Sequence, residues 1–311
     1  MKAIILKEFG GTENLIIGEI PVPEISENEV LIKVKAISVN PVDVKTRKGK
    51  GVAGIVKDFD PIILGWDISG IVTDSKSSRF KNGDEVFGMV NFPGHGKAYA
   101  EYVAAPADQL TLKPDNISHE EAAAATLAAL TAWQNLVDHA KIKSGQRVLI
   151  HAAAGGVGHY AVQIAKNMGA YVIGTSSAEN RDFVLSLGAD EHIDYQAQRF
   201  EDVIADIDFV LDTIGDDNID RSIKVTKPGG TVISIPSGLN EAVKENAKAH
   251  GVIGYNTMVK SNGDDMEKIA DLLKDGRMKS YISQIFSFDE MDKAHQLIES
   301  GKTKGKAIVI I

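Results

Sequence analysis

The chain contains no cysteine. A disulfide, a thiolate nucleophile and a cysteine-ligated zinc site are therefore excluded, although the absence assigns no compartment by itself. Long apolar runs are missing too. No stretch approaches the ~20 apolar residues that a bilayer-spanning helix needs. The first apolar run, Ala3 to Leu6, is too short for the core of a signal peptide. These features predict a soluble, cytoplasmic protein with no membrane partner. Positive charge is in deficit: 34 Lys and Arg stand against 43 Asp and Glu, a net charge of −9. That balance argues against nucleic acid or an anionic membrane as partner, since both select basic surfaces.

What is present suits a globular chain. Its 311 residues predict two domains, at roughly 150 residues per domain. The first ~115 residues read as an antiparallel, β-rich domain. Residues 29–37 (EVLIKVKAI) alternate apolar and charged side chains with the period of a half-buried strand. Turn signals recur at Gly10-Gly11, Pro21-Val22-Pro23, Asn82-Gly83-Asp84 and Pro93-Gly94. The texture changes at Ser118. Ser118-His119-Glu120-Glu121 has the spacing of a capping box ahead of an alanine-rich helix. Short apolar runs at 147–151, 171–175, 209–213 and 231–235 then read as strands. Val157, Ala161, Ile164, Ala165 and Met168 lie between the first two at helical spacing, with Gly169 as the stop. Phe183, Val184 and Leu187 repeat the device and end at Gly188. Strand–helix–strand at this pitch implies right-handed crossovers and a parallel sheet. Two helices, 264–273 and 291–298, and a strand, 306–311, close the chain. Periodicity leaves open which domain they join.

The segment with the clearest chemistry is 147–166, RVLIHAAAGGVGHYAVQIAK. A strand runs into a glycine-rich turn and then a helix, the context that gives a G-x-G-x-x-G pattern its meaning. The first glycine is replaced by Ala153. Gly155 lets the backbone approach a pyrophosphate and Gly158 lets the helix pack on the strand. Ala154, Gly155, Gly156, Val157 and Gly158 are thus the candidate phosphate cradle at a helix N-terminus. At the end of the second strand, Thr175-Ser176-Ser177 and Arg181 stand where an acid commonly binds the ribose 2′-hydroxyl. Hydroxyls with a guanidinium favour a 2′-phosphate, hence NADPH. Glu179 opposes this if it turns inward.

With these motifs in hand, the chain resembles the zinc-independent quinone oxidoreductases of the medium-chain dehydrogenase/reductase superfamily, the ζ-crystallin-like group. The pieces run in family order over essentially the whole length: Val39-Asn40-Pro41-Val42-Asp43, Gly65-Trp66-Asp67-Ile68-Ser69-Gly70, Asn82-Gly83-Asp84-Glu85-Val86-Phe87-Gly88, Ala100-Glu101-Tyr102, Leu130-Thr131-Ala132-Trp133, Ala153 to Gly158, Leu187-Gly188-Ala189-Asp190, Gly229-Gly230 and Gly305-Lys306. The resemblance implies an α/β chain: a GroES-like, β-rich catalytic domain from 1–117 and 255–311, with a Rossmann doubly wound parallel-sheet domain, 118–254, inserted. It implies that Asn40 faces the nicotinamide, where zinc-dependent relatives have a catalytic cysteine, and donates to a substrate carbonyl. It places Thr131 beside the cofactor, Tyr195 at the adenosine 2′-phosphate, and Thr213, Ile235 and Ser237 near the nicotinamide ribose. Lys306 joins the cofactor contacts. Gly65-Trp66-Asp67 stands where zinc relatives have Gly-His-Glu, so no metal is expected. The strand at 252–259 is the expected seam of a homodimer.

Departures cluster in loops. Lys45 replaces a tyrosine that some relatives carry, 71–79 is short, and the stretch between Ser237 and Tyr255 is compact and polar. The eight histidines, among them His95, His119 and His139, show no H-x3-H spacing. Tyr99, Tyr102 and Tyr255 are further candidates for a proton donor. The expected activity is NADPH-dependent, zinc-independent hydride transfer to quinones or α,β-unsaturated carbonyls. Two rivals stay open: an NADPH-binding redox sensor or crystallin-like protein with little catalysis, and a zinc alcohol dehydrogenase using only His, Asp and Glu ligands.

Overall fold

The structure, a computed structural model, describes residues 1–236 and 238–311; Ser237 lies outside the described residues. It divides into two compact units, Met1–Leu130 with Val259–Ile311, and Thr131–Met258.

In the first unit the strand Glu29–Val39 is the axis. It pairs antiparallel with Asp67–Ser75, Tyr102–Pro106 and Lys306–Ile310. Val30, Ile32 and Val34 are buried while Lys33 is exposed, the alternation expected of a sheet with one wet face. Beyond Lys35 the alternation stops, and Ala36 to Val39 are buried on both faces. Elements on both faces explain this: Ala36 clusters with Ala123 and Ala124 of the helix His119–Ala124, and Ile37 and Val39 cluster with Met291 and Ala294 of the helix Met291–Glu299. The sheet order is Ile282–Ser287, Lys306–Ile310, Glu29–Val39, Asp67–Ser75, Glu85–Met89, Leu110–Leu112. The last strand of the chain therefore completes the first domain's sheet, which answers what periodicity left open. A smaller sheet joins Leu15–Glu19, Lys2–Leu6 and Ile62–Ile63.

The alanine-rich segment forms two helices rather than one, His119–Ala124 and Leu127–Trp133. The capping box is present: Glu121 N–H donates to Ser118 Oγ at 3.2 Å and Ser118 N–H to Glu121 Oε2 at 2.9 Å. The break follows from a tertiary contact. Asp67, on a strand of the first sheet, accepts the Leu127 N–H at 3.1 Å and so starts a second helix. The first helix packs on the strands Glu29–Val39 and Asp67–Ser75, so it belongs to the β-rich unit. The boundaries consequently fall after Leu130 and Met258, later than 117 and 254.

The second unit is a six-stranded parallel sheet. Its order is Glu191–Asp194, Tyr171–Ser176, Arg147–Ile150, Ile207–Asp212, Thr226–Ser234, Ile253–Asn256. This is the doubly wound 3-2-1-4-5-6 arrangement of dinucleotide-binding folds. Val148, Leu149, Ile150, Val172, Ile173, Val210, Leu211, Val232 and Ile233 are fully buried. Strands covered on both faces read as apolar runs, which is why these four were visible in the sequence. The strand Glu191–Asp194 was not, because at the sheet edge its residues are polar and only half-buried apart from Ile193. Among the described residues no helix is long and apolar enough to cross a membrane.

Candidate dinucleotide site and a buried charge cluster

The turn after the strand Arg147–Ile150 leads into the helix Gly158–Asn167. The left-handed residue of this turn is Ala152, with φ of 46°, a conformation that costs an L-residue roughly 1–2 kcal/mol. Its carbonyl accepts the Gly155 N–H at 2.8 Å. Ala153, read as the substituted first glycine, is buried instead. A Cβ on Gly174 of the neighbouring strand would lie 2.8 Å from the Ala153 methyl. The glycine missing at 153 is thus balanced by one at 174. The N–H groups of Gly156, Val157 and Gly158 make no backbone hydrogen bond among the described residues, and they open a ten-residue helix. Free donors at a helix N-terminus suit a pyrophosphate. Ala154 is buried beneath this turn.

Gly155 and Gly158 serve different ends. A Cβ at Gly158 would sit 2.2 Å from the Ala152 carbonyl oxygen and 2.7 Å from the Ala153 Cα. At Gly155 it would meet only the Ala152 oxygen, at 3.2 Å, and beyond that the Ala152 methyl at 3.9 Å. Gly158→Ala is therefore expected to force the helix off the strand and to lower stability by about 1–3 kcal/mol in urea unfolding. Gly155→Ala should leave the urea midpoint nearly unchanged. Equal losses for the two variants would contradict this division of roles.

The corner after the strand Tyr171–Ser176 gathers the residues expected to select the cofactor. Ser176 is buried and pairs with His192 Nε2 at 2.8 Å. Ser177 donates to Glu179 Oε1 at 3.2 Å and receives Asn180 Nδ2 at 3.0 Å. Arg181 is exposed and forms no ion pair among the described residues. Tyr195 is 58% exposed, and its N–H donates to the Ser176 carbonyl at 3.3 Å. Sequence reasoning missed His192, since a histidine on a short polar edge strand carries no periodic signal. Burial holds its pKa below the usual value; Arg181 acts in the same direction and Asp194 against it.

The loops after the next two strands are organised by Asp212, which is fully buried at the end of the strand Ile207–Asp212. Its carboxylate accepts the Ile214 and Gly215 N–H groups at 3.1 and 3.0 Å, Asn218 Nδ2 at 2.9 Å and Ser234 Oγ at 2.6 Å. Its carbonyl accepts the Ile235 N–H at 3.0 Å. Thr213 Oγ1 donates to the His151 carbonyl at 2.9 Å. Thr213 and Ile235 thus sit at the carboxyl ends of adjacent strands, where α/β sheets bind ligands. His151 is buried between Thr175 Oγ1 and Ser222 Oγ, each at 3.0 Å, and burial pushes its pKa down to about 4. Thr131 is buried too; its carbonyl accepts Asn135 Nδ2 at 2.7 Å.

The β-rich unit holds a second constellation. Asn40 caps the helix Pro41–Arg47, its N–H donating to Asp43 Oδ2 at 2.7 Å. Its Nδ2 donates to Asp67 Oδ2 at 2.8 Å and to the Ser38 carbonyl at 3.4 Å. Lys306 Nζ donates to its Oδ1. Asn40 is only 1% exposed, and both of its amide protons have partners inside the unit, the Asp67 carboxylate and the Ser38 carbonyl. Lys306, expected among the cofactor contacts, is likewise buried, because Asp67 and Asp43 draw its ammonium inward. Burial and the neighbouring Asp67 raise the Asp43 pKa to about 7. Burial also raises that of Asp67 and lowers that of Lys306, each opposed by the other's charge. Tyr99 is fully buried, its hydroxyl 3.0 Å from His295 Nε2, and burial beside Asp43 keeps it protonated. Tyr102 and Tyr255 are half-buried, the latter edge-on to His139. Neither Asn40's bridge nor Asp67's helix cap has a local signature, since each depends on residues far apart in sequence.

A parallel sheet in this order, with free amides at its first glycine turn, on one chain with a β-rich unit, defines a dinucleotide-dependent dehydrogenase or reductase. Residues 26–115 match the alcohol dehydrogenase GroES-like domain, and residues 187–309 match the zinc-binding dehydrogenase domain. Over 99% of its length the chain is 35% identical to a chloroplastic NADPH-dependent alkenal/one oxidoreductase of Arabidopsis thaliana, covering 79% of that protein. It superimposes on a quinone oxidoreductase of Coxiella burnetii with a TM-score of 0.95 at 38% identity, covering 100% and 99% of the two chains. For an Escherichia coli quinone oxidoreductase solved with NADPH the TM-score is 0.86 at 27% identity, with both chains fully covered. The chain belongs to the medium-chain dehydrogenase/reductase family, among its quinone oxidoreductases.

Proposed function

We propose that the protein is an NADPH-dependent oxidoreductase that reduces quinones or α,β-unsaturated carbonyls. The observation that carries this reading is the glycine turn with its free amides, together with the Ser176–Arg181 corner. The relatives named as alkenal/one and quinone oxidoreductases support the acceptor class. Gly155 to Gly158, over Ala154, would hold the pyrophosphate, while Ser176, Ser177, Arg181 and Tyr195 would hold the 2′-phosphate. Thr131, Thr213 and Ile235 would flank the nicotinamide, and Ser237 keeps the same role. The bound cofactor would supply a hydride to the electrophilic carbon of the acceptor. Asn40 and Lys306 enter as a rigid buried support, not as groups that touch substrate.

Zinc independence belongs to the proposal. The positions that would ligate a catalytic zinc carry Asn40, a buried Trp66 and Asp67, and the Lys306 ammonium is bonded to Asn40. A donor set with an ammonium on it does not fit a dication. Acceptors that delocalise the incoming electron pair onto oxygen need less Lewis-acid help than a simple ketone. The reading extends to a cytoplasmic homodimer. The strand Ile253–Asn256 lies at a sheet edge with Ile253 54% exposed, which supports an isologous edge-to-edge pairing there. Ala3–Leu6 lies in a strand of the folded unit.

The test is cofactor oxidation by purified protein across a panel of enones and quinones. We expect NADPH to be used at least about tenfold more efficiently than NADH, the effect of one charge-assisted contact to the 2′-phosphate. Bound NADPH with no turnover across the panel would leave a cofactor-binding protein. A preference for NADH would mean that Glu179, already bonded to Ser177, holds the ribose hydroxyls instead.

A further inference from the structure

Ser176 and His192 form a pair whose protons are constrained. The Ser176 hydroxyl has one proton and two partners: the Ser177 carbonyl at 3.2 Å and His192 Nε2 at 2.8 Å. If that proton goes to the carbonyl, or outward to a ligand, His192 must present an N–H to Ser176 Oγ. The histidine therefore decides whether Ser176 can donate.

We propose that the His192–Ser176 pair makes binding of a 2′-phosphorylated dinucleotide, but not of its unphosphorylated counterpart, draw a proton from solution. The proposal rests on the Ser176 corner being the 2′-phosphate site, and it adds to that reading a residue and a proton that the reading does not contain. His192 belongs to the strand Glu191–Asp194 and reaches across to the strand Tyr171–Ser176. The groups facing it are Ser176 from that neighbouring strand, Arg181 at the start of the helix Arg181–Ser186, and Asp194 on its own strand.

In the free protein, partial burial and Arg181 keep the imidazole neutral near pH 7, opposed only by Asp194. A phosphate dianion set between Ser176 and Arg181 reverses this. It offsets the Arg181 charge and adds negative charge on the far side of the serine. Imidazolium then becomes the favoured form, and its Nε2–H fixes Ser176 as a donor to the phosphate. A dinucleotide with a ribose hydroxyl at that position brings no charge and takes up no proton.

The 2′-phosphate titrates itself, with a second pKa of about 6, and a cationic corner releases its proton. The two effects have opposite sign, so a variant must separate them. Calorimetric titrations at pH 6.5 in two buffers of different ionisation heat count protons per NADPH or NADH bound, for the wild type and His192→Gln. With NADPH the wild type should take up about half a proton more than the variant, with no difference for NADH. The affinity ratio of wild type to variant should grow as pH falls, by at most about tenfold per pH unit. Equal proton counts with the NADPH preference intact overturn the role of His192. Loss of the preference in the wild type overturns the assignment of the corner itself, and with it this inference. Should His192→Gln fail to fold, the imidazole resonances of the unmodified protein decide. His192 should titrate at higher pH with NADPH bound than with NADH, and a common midpoint refutes the coupling.

Discussion

Lys306→Met is expected to lower the stability of the β-rich unit by about 3–5 kcal/mol, the loss seen when one member of a buried charge pair is removed. Lys306 is 3% exposed, and its ammonium is bonded to Asn40 Oδ1 and stabilised by the charges of Asp67 and Asp43. Without it Asp67 is left in a site where burial already raises its pKa. The same carboxylate receives the Asn40 amide and the Leu127 N–H, so its protonation would weaken both a helix start and the bridge. Urea unfolding of Lys306→Met and of Lys306→Met with Asp67→Asn measures the effect. The double variant should recover much of the loss, because the uncompensated Asp67 charge, which also raises the Asp43 pKa, is gone. A single-variant loss below about 1 kcal/mol would mean that the cluster is not ionised in the folded state.

Acid should destabilise the two units unequally. His151 is buried with a pKa pushed to about 4, and His295 is buried with one pushed to about 3. An unfolded chain binds protons on both below pH about 6.5. Both histidines therefore contribute stability near neutrality that is lost as pH falls. Asp43 has the opposite sign. Its folded pKa of about 7 lies above the open-chain value, so the native state holds a proton that the unfolded state has released, and acid favours folding there. His295 and Asp43 lie in the same unit and offset each other. In the Thr131–Met258 unit His151 meets no such offset, and His192, its pKa also lowered by burial, acts in the same direction. Between pH about 6 and 4.5 that unit should lose roughly 1.4 kcal/mol per pH unit, the linkage of one proton. His95, partly exposed and with a pKa near 4, adds a smaller loss in the other unit. Hydrogen exchange at pH 7 and pH 5 resolves the two. Amides of the strands Arg147–Ile150 and Ile207–Asp212 should lose protection well before those of Glu29–Val39. A uniform loss across both sheets would contradict the offset.

The parts of the fold visible in the sequence share one property: their signal is local. Parallel strands buried on both faces, such as Val148 to Ile150, read as apolar runs, and Ser118 with Glu121 reads as a cap because both partners lie within four residues. The glycine turn is visible for the same reason, since Gly155 and Gly158 act within the turn that contains them. Its details were not local. The left-handed residue is Ala152, and the room for Ala153 comes from Gly174 on the next strand. The alanine-rich segment carries no local sign of its break, because the carboxylate that interrupts it, Asp67, is sixty residues away.

The missing cysteine, by itself, excluded a cysteine-ligated metal and any thiolate chemistry, because composition limits which functional groups exist. Apolar period and glycine spacing determined a parallel-sheet domain with a glycine-rich turn between its first strand and helix, because those patterns act over one or two helical turns. Only the tertiary structure decided where Asn40 and Lys306 lie and what they contact. Their neighbours Asp43 and Asp67 come from separate segments, and charge burial is set by what closes around a group rather than by what flanks it in the chain. The same holds for Asp212 and His192, whose partners lie across strands.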